Sequence, residues 1–421
     1  MASRLSPRAA VVVTGSELVR GDRRDLNGPF LVHELLSLGV EPARITIVGD
    51  APDELEAALR EGLAYDVLVT SGGLGPTHDD RTVELLARAA GVELEVDAAV
   101  EREIEARSRA VAERLRRPYA DFASGVTKQA TLPRGAVVAG LAGTAPAFAL
   151  IVGECVAVVL PGPPGELQAL WHRALDLDVV RSVVARAQPP QRRTLRFYGV
   201  SESSVAAALE AAGGDGDGVD ATICARHFEI HVDLVVAPGA ERRADALEAA
   251  LLPPVEGFLY TRGEAPVEAV VLDACRARGW TLATAESCTG GMVAERLTSV
   301  PGSSDVYVGS VVSYADAVKE SALGVPAEVL RAHGAVSAET AAVMARGVRE
   351  RIGADIGVAV TGIAGPGGAT AEKPVGLVYL HASGPTGELA ADFSYGGDRE
   401  SIRRRATVAA LHLVRRLVTE S

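Results

Sequence analysis

Aromatic side chains are scarce in this 421-residue chain: Phe, Trp and Tyr make up 4% of it. Its core must therefore come from Ala, Val and Leu, the composition of helices layered on a sheet. Cysteine is equally sparse. Cys155, Cys224, Cys275 and Cys288 are the only four, with no metal-type pairing, which fits a reduced, cytoplasmic protein. Positive charge is in deficit, 42 Lys and Arg against 55 Asp and Glu, a net charge of −13. That balance argues against a general grip on nucleic acid, while leaving room for a local basic pocket for a phosphorylated metabolite. No stretch reaches roughly 18 uninterrupted apolar residues, so no membrane span is expected. The opening Met-Ala-Ser-Arg-Leu-Ser-Pro-Arg has no apolar signal core either.

What is present is globular composition, 48% hydrophobic and 23% charged, in a chain long enough for two or three domains. Over residues 9–173 strand patterns alternate with helical ones. Strands are expected at 9–14, 44–49 and 66–71, and helices at 30–38 and 53–63, with Asp50 or Pro52 near the start of the second. This alternation implies a parallel sheet, whose ligands lie at the carboxyl ends of the strands. Gly15-Ser16-Glu17 and Ser71-Gly72-Gly73 fall at such ends. The glycines there serve either a tight turn or a close approach to phosphate. His78, Asp79 and Asp80 could hold a divalent cation, or Asp79 and Asp80 could cap the helix that begins near Thr82. Residues 192–260 read as strand, helix, strand-like segment and helix. Gly213-Gly-Asp-Gly-Asp-Gly forms a flexible turn within them.

The last segment holds the most chemistry. A strand-like run from Trp280 leads into Glu286-Ser287-Cys288, then two glycines, then apolar residues at helical spacing. Backbone N–H groups at such a helix start are unpaired and can stabilise an anion. Ser287, Tyr314, Lys319 and Thr361 all fall at the ends of expected strands, and Asp316 and Ser337 are expected N-caps. No histidine accompanies Ser287, which disfavours a Ser-His-Asp triad, and Gly-x-Ser-x-Gly is absent. Lysine is the next candidate base. Keeping a lysine neutral at pH 7 costs about 4.6 kcal/mol, from a reference pKa near 10.4. A helix dipole supplies only roughly 0.3–1 kcal/mol, so burial must do most of it. Plainer readings stand beside this one. Ser287 and Thr361 could be caps and Lys319 a surface charge, and Cys288, at a helix start with a depressed pKa, could be the nucleophile.

The motifs Ala285-Glu-Ser-Cys-Thr-Gly-Gly, Gly309-Ser-Val-Val-Ser-Tyr-Ala-Asp-Ala-Val-Lys, Gly334-Ala-Val-Ser-Ala-Glu-Thr-Ala, Val360-Thr-Gly-Ile-Ala-Gly-Pro-Gly-Gly and Gly397-Asp-Arg-Glu-Ser-Ile-Arg span nearly all of residues 265–418. This region resembles the C-terminal domain of the CinA (competence/damage-inducible protein A) family. It is similar to the nicotinamide-nucleotide amidases, which hydrolyse nicotinamide mononucleotide (NMN) to nicotinate mononucleotide and ammonia. The resemblance implies Ser287 as nucleophile with Lys319 and Tyr314 as its catalytic partners. It implies a substrate-binding set of Thr361, Gly302, Gly362 and Arg399 or Arg403. No cofactor is implied for this step.

Ser71-Gly-Gly-Leu-Gly-Pro-Thr-His-Asp-Asp and Val156-Ala-Val-Val-Leu-Pro-Gly-Pro-Pro-Gly-Glu resemble the molybdopterin-binding-like N-terminal half of the same family. That half is associated with metal-dependent ADP-ribose pyrophosphatase activity, which would place a divalent metal at Asp79 and Asp80. The chain departs from the family at Ser16, usually acidic, at Leu26, usually Thr, and at Ala147, usually Gly. A missing carboxylate weakens a metal site.

The architecture implied is α/β. A doubly wound domain covers 1–173, a small KH-like α+β domain 174–260, and an amidase domain 265–421. Gly213-Gly-Asp-Gly fits a Gly-x-x-Gly loop, but Asp215 and Asp217 would repel nucleic-acid phosphates. The family also implies a homodimer and, by its name, a rival non-catalytic role in competence or repair.

Overall fold

The computed structural model describes residues 6–420. The chain forms two compact units, Met1–Gln191 and Arg192–Ser421.

The first unit is built on strands β1 (Arg8–Thr14), β2 (Glu41–Val48), β3 (Val67–Ser71), β4 (Leu94–Val96), β5 (Thr131–Pro133), β6 (Val137–Leu141), β7 (Pro146–Val152) and β8 (Cys155–Leu160). Six of them form one sheet in the order β2-β1-β3-β8-β7-β6, and β4 pairs with β5. β1 runs parallel to β2 and β3, and β3 parallel to β8, while β7 is antiparallel to both neighbours. Side chains alternate across β1, so Ala10 and Val12 enter one core cluster and Val11 and Val13 the other. The helix Asn27–Ser37 covers one face through Leu31 and Leu35. The helices Pro52–Gly62 and Thr82–Ala90 cover the other through Leu55, Leu59, Leu85 and Leu86. Burial on both faces explains why β1 and β8 read as continuous apolar runs. Val180 and Val183, on the helix Asp178–Val184, pack into the same core. The unit thus continues to Gln191, past the boundary at 173 expected from sequence.

The second unit carries two sheets. The smaller contains β9 (Gln191–Phe197), β10 (Val219–Arg226), β11 (Glu229–Val236) and β12 (Leu259–Arg262) in the order β10-β11-β9-β12. The helices Glu202–Ala211 and Glu241–Leu251 bury Val205, Leu209, Leu247 and Leu251 in its core. Asp215 accepts a hydrogen bond from the Ala221 N–H at 2.7 Å, so its carboxylate folds back onto β10.

The larger sheet contains β13 (Leu282–Glu286), β14 (Tyr307–Val312), β15 (Ile356–Gly362), β16 (Leu377–Gly384) and β17 (Gly387–Ser394) in the order β14-β13-β15-β16-β17. β13 is parallel to both its neighbours, and Glu286 stands opposite Val312 on one side and Val360 on the other. The carboxyl ends of three strands therefore meet at one edge. The helices Val267–Arg278 and Arg399–Thr419 close one face of the sheet, and Ala338–Ile352 closes the other. Ser337 caps Ala338–Ile352 as expected, accepting from the Thr340 N–H at 3.2 Å. Asp316 does not cap its helix. The N-cap is Ala315, Asp316 is the first helical residue, and its carboxylate lies 3.5 Å from Lys319 Nζ.

Candidate active site

At the shared edge, the Ser287 N–H donates to Val360 O at 2.9 Å and the Ser313 N–H donates to Glu286 O at 2.8 Å. Each serine thus extends the parallel ladder one step beyond the strands. Ser287 is 9% exposed, and its hydroxyl makes no hydrogen bond among the described residues.

The turn after Ser287 is held from two sides. Gly290 and Gly291 take φ values of 62° and 100°, which bend the chain into the helix Met292–Thr298. The fully buried Glu286 carboxylate accepts from the N–H groups of Gly291 at 2.9 Å, Val293 at 3.1 Å and Ala294 at 2.8 Å. The helix-start donors expected to hold an oxyanion are therefore taken by Glu286. The N–H groups of Thr289 and Gly290 have no backbone acceptor among the described residues. Arg403, on the terminal helix, donates from Nε to Cys288 O at 3.0 Å and from Nη2 to Thr289 O at 2.7 Å. In a trans peptide the C=O and N–H point in opposite directions, so Thr289 N–H and Gly290 N–H face away from Arg403. Sequence reasoning passed over Glu286 as a functional residue. The signal was there: an acid ending the apolar strand Leu-Ala-Thr-Ala-Glu must find donors once buried.

Lys319 is 1% exposed, among the largest fully buried side chains. Its Nζ donates to Ser313 O at 2.9 Å and Tyr314 O at 3.4 Å, which brings it to the same edge as Ser287. Burial pulls its pKa below the ordinary lysine value, against the opposing pull of the Asp316 carboxylate. Cys288 fares differently. Burial pushes its thiol up to about 12, and the Glu286 charge adds to the rise. The depressed thiol pKa expected for a cysteine at a helix start does not hold here, because this thiol is sealed in the core and Glu286 occupies the helix N-terminus.

Tyr314 is 62% exposed, and its hydroxyl accepts from Arg399 Nη2 at 2.9 Å while Arg399 Nη1 donates to Gly365 O at 2.7 Å. Arg399 and Arg403 thus both reach this edge, and neither pairs with a carboxylate among the described residues. Asp398 caps their helix by accepting from the Ser401 N–H at 2.8 Å. Thr361 is fully buried and donates to Ala335 O at 2.7 Å, which ties the loop before Ser337 to the end of β15. At Gly362 a Cβ would fall 2.8 Å from Leu377 O, so that glycine is set by sheet packing. Gly302 lies before β14, at the amino end of the sheet, and its carbonyl accepts from Arg276 at 3.2 Å. It does not join the cluster.

In the first unit, Asp80 Oδ2 accepts from the Thr77 N–H at 3.0 Å and from the Thr77 hydroxyl, while Asp79 is exposed. Among the described residues no group of three or more His, Cys, Asp or Glu side chains is placed to hold a metal, so Asp79 and Asp80 do not by themselves fit one. Ser16 donates from Oγ to Asp50 Oδ2 at 2.6 Å. An acid at that position would face the Asp50 carboxylate across the same gap.

Comparison with known proteins agrees with these two folds. Residues 264–418 match the family model described as the CinA C-terminal domain, and residues 10–180 match a probable molybdopterin binding domain. The chain is similar to the CinA-like protein of Mycolicibacterium vanbaalenii, with 42% identity over 99% of each chain. It is also similar to the CinA-like protein of Mycolicibacterium gilvum, again with 42% identity over 99% of each. Among solved structures it is similar to the competence/damage inducible protein CihA from Agrobacterium tumefaciens. That match has 42% identity and a TM-score of 0.34, and covers 36% of this chain and 95% of that one.

Proposed function

Because the chain belongs to the CinA family, we propose that its C-terminal domain is a serine–lysine amidohydrolase that converts NMN to nicotinate mononucleotide and ammonia. One observation carries this reading: a fully buried lysine of lowered pKa at the same sheet edge as a serine with an uncommitted hydroxyl.

In this mechanism Ser287 Oγ attacks the carboxamide carbon while neutral Lys319 takes the hydroxyl proton. The carbonyl oxygen becomes the oxyanion, for which the Thr289 and Gly290 N–H groups, without a backbone acceptor among the described residues, are candidate donors. Lys319 then gives its proton to the amide nitrogen. The C–N bond breaks, ammonia leaves, and a nicotinoyl ester remains on Ser287. Water attacks the ester with Lys319 again accepting a proton, and Ser287 recovers it as the carboxylate departs.

Tyr314 presents an exposed ring at the rim, against which a planar pyridinium can rest. Arg399 and Arg403 carry charge that no carboxylate among the described residues pairs with, which suits the ribose phosphate. The test is ammonia release from NMN by the full chain, wild type against Ser287→Ala. Wild-type activity with a loss of at least about 10²-fold in the variant supports the mechanism. No release by the wild type, or full activity in Ser287→Ala, overturns it.

A further inference from the structure

The β10–β11 hairpin turns on His227 and Phe228, and both hold left-handed backbone, with φ of 52° and 67°. Two-residue turns of this kind favour glycine or asparagine, because a Cβ is strained there. Two bulky rings kept at such a tip mark a place where the side chains themselves are needed. Both line a cavity of about 850 Å³ inside the second unit, together with Arg196, His231, Met292 and Arg404. None of the residues assigned to the Ser287 cluster lines it.

The walls carry polar groups without partners. Arg196 lines the cavity and pairs with no carboxylate among the described residues. His231 is 3% exposed. Its Nε2 lies 3.5 Å from Glu229, and its Nδ1 makes no hydrogen bond among the described residues. Phe228 is 40% exposed, with the Arg405 guanidinium 4.9 Å from its ring centroid. Of the acids around the cavity, Glu268 is taken by Arg296, which leaves Glu264 and Glu295 towards solvent. Buried polar groups are normally satisfied, so the unpaired Nδ1 of the cavity-lining His231 calls for a bound partner. The volume falls in the range of small-molecule sites.

We infer that this cavity is a binding site for a nucleoside phosphate, separate from the Ser287 cluster. The phosphate meets Arg196 and the neighbouring guanidiniums, the base lies against Phe228, and His231 with the free carboxylates bonds the sugar and base edges. The cavity also touches the helix Met292–Thr298 that follows the Ser287 turn. Through Arg404 it touches the residue next to Arg403.

The probe is ADP, titrated calorimetrically into the full chain, with adenosine and pyrophosphate as separate arms. ADP should bind tighter than either fragment. Arg196→Ala and Phe228→Gly should each weaken it roughly tenfold or more. Glycine suits the backbone at 228, so that variant keeps the hairpin. Arg24→Ala, in the cleft of the first unit, should leave this binding step unchanged. The titration does not depend on NMN hydrolysis, so the two proposals fail separately. Absence of any ADP binding step that both cavity variants weaken overturns the inference, including one lost only in Arg24→Ala.

Discussion

Lys319 Nζ donates to the main-chain carbonyl of Ser313 at 2.9 Å, from the bottom of a side chain that is 1% exposed. Burial lowers its pKa from 10.5, so the neutral base gains population as pH rises through the lowered value. Activity on NMN should rise with pH and level off below 10.5, as read from kcat/KM. Lys319→Met should lose roughly 10²–10⁴-fold of it. The stability sign follows from proton counting. The unfolded state binds more protons between the two pKa values, so the cost of burying the ammonium is present below the folded pKa and relieved above it. Wild type should therefore gain stability relative to Lys319→Met as pH rises through the lowered lysine pKa towards 10.5, as measured by chemical denaturation.

Cys288 neighbours Ser287, but with its thiol pushed up to about 12 it has almost no thiolate at neutral pH. Cys288→Ala should retain NMN hydrolysis within a few-fold, and thiol alkylation of the folded protein should be slow. Rapid inactivation by a thiol reagent, blocked in Cys288→Ala, would move the nucleophile from serine to cysteine.

Glu286 is the residue whose importance was least legible. The strand, the glycine turn and the helix were all readable in the sequence, because apolar periodicity and glycine placement are local signals. The use of a buried carboxylate to close the helix N-terminus depends on where the turn brings Gly291, Val293 and Ala294, which no spacing rule gives. The same holds for Arg399 and Arg403. Sequence offered either one, whereas one helical turn places both at the edge, one on Tyr314 and one on the turn itself. The first-unit boundary was misplaced because Val180 and Val183 give too short an apolar pattern to assign to either neighbour.

Glu286→Gln keeps the shape of the cap and removes its charge, with one oxygen left to accept. A charged acceptor is worth about 1.5–3 kcal/mol per bond, so the turn should loosen without unfolding the domain. The expected signature is a fall in kcat of about tenfold or more with KM for NMN little changed. Glu286→Asp should recover part of the rate. Equal losses in kcat and in melting temperature across both variants would indicate a scaffold role alone.

Glu229 joins the smaller sheet to the terminal helix. It accepts from His412 Nε2 at 2.8 Å and from the Tyr260 hydroxyl at 2.8 Å. Burial alone would raise its pKa, but the bonds from His231, His412 and Tyr260 outweigh that and bring it to about 2, from 4.5. A depressed carboxylate stabilises the fold above its unfolded pKa, and this contribution is lost as pH falls through about 2. His412, held below 6.5 by burial, adds a loss of the same sign on acidification. The melting temperature of wild type should exceed that of Glu229→Gln near neutrality, with the gap narrowing as pH falls from 4.5 towards 2. A gap independent of pH would mean that the carboxylate charge is not what joins the two elements.

The arginines offer the sharpest separation between recognition and chemistry. Arg399 touches Tyr314 and Gly365, Arg403 touches the turn, and neither pairs with a carboxylate among the described residues. If their charge serves the ribose phosphate, its value appears only with a phosphorylated substrate. Arg399→Ala should lower kcat/KM for NMN about tenfold or more, chiefly through KM, at roughly 1.5–3 kcal/mol for a charged contact. The same variant should hydrolyse nicotinamide riboside, which has no phosphate, as well as wild type does. Arg403→Ala should damage both substrates, because it also releases the carbonyls of Cys288 and Thr289 and lets the candidate oxyanion donors turn. Equal losses on both substrates in Arg399→Ala would assign that residue to holding Tyr314 rather than to the phosphate.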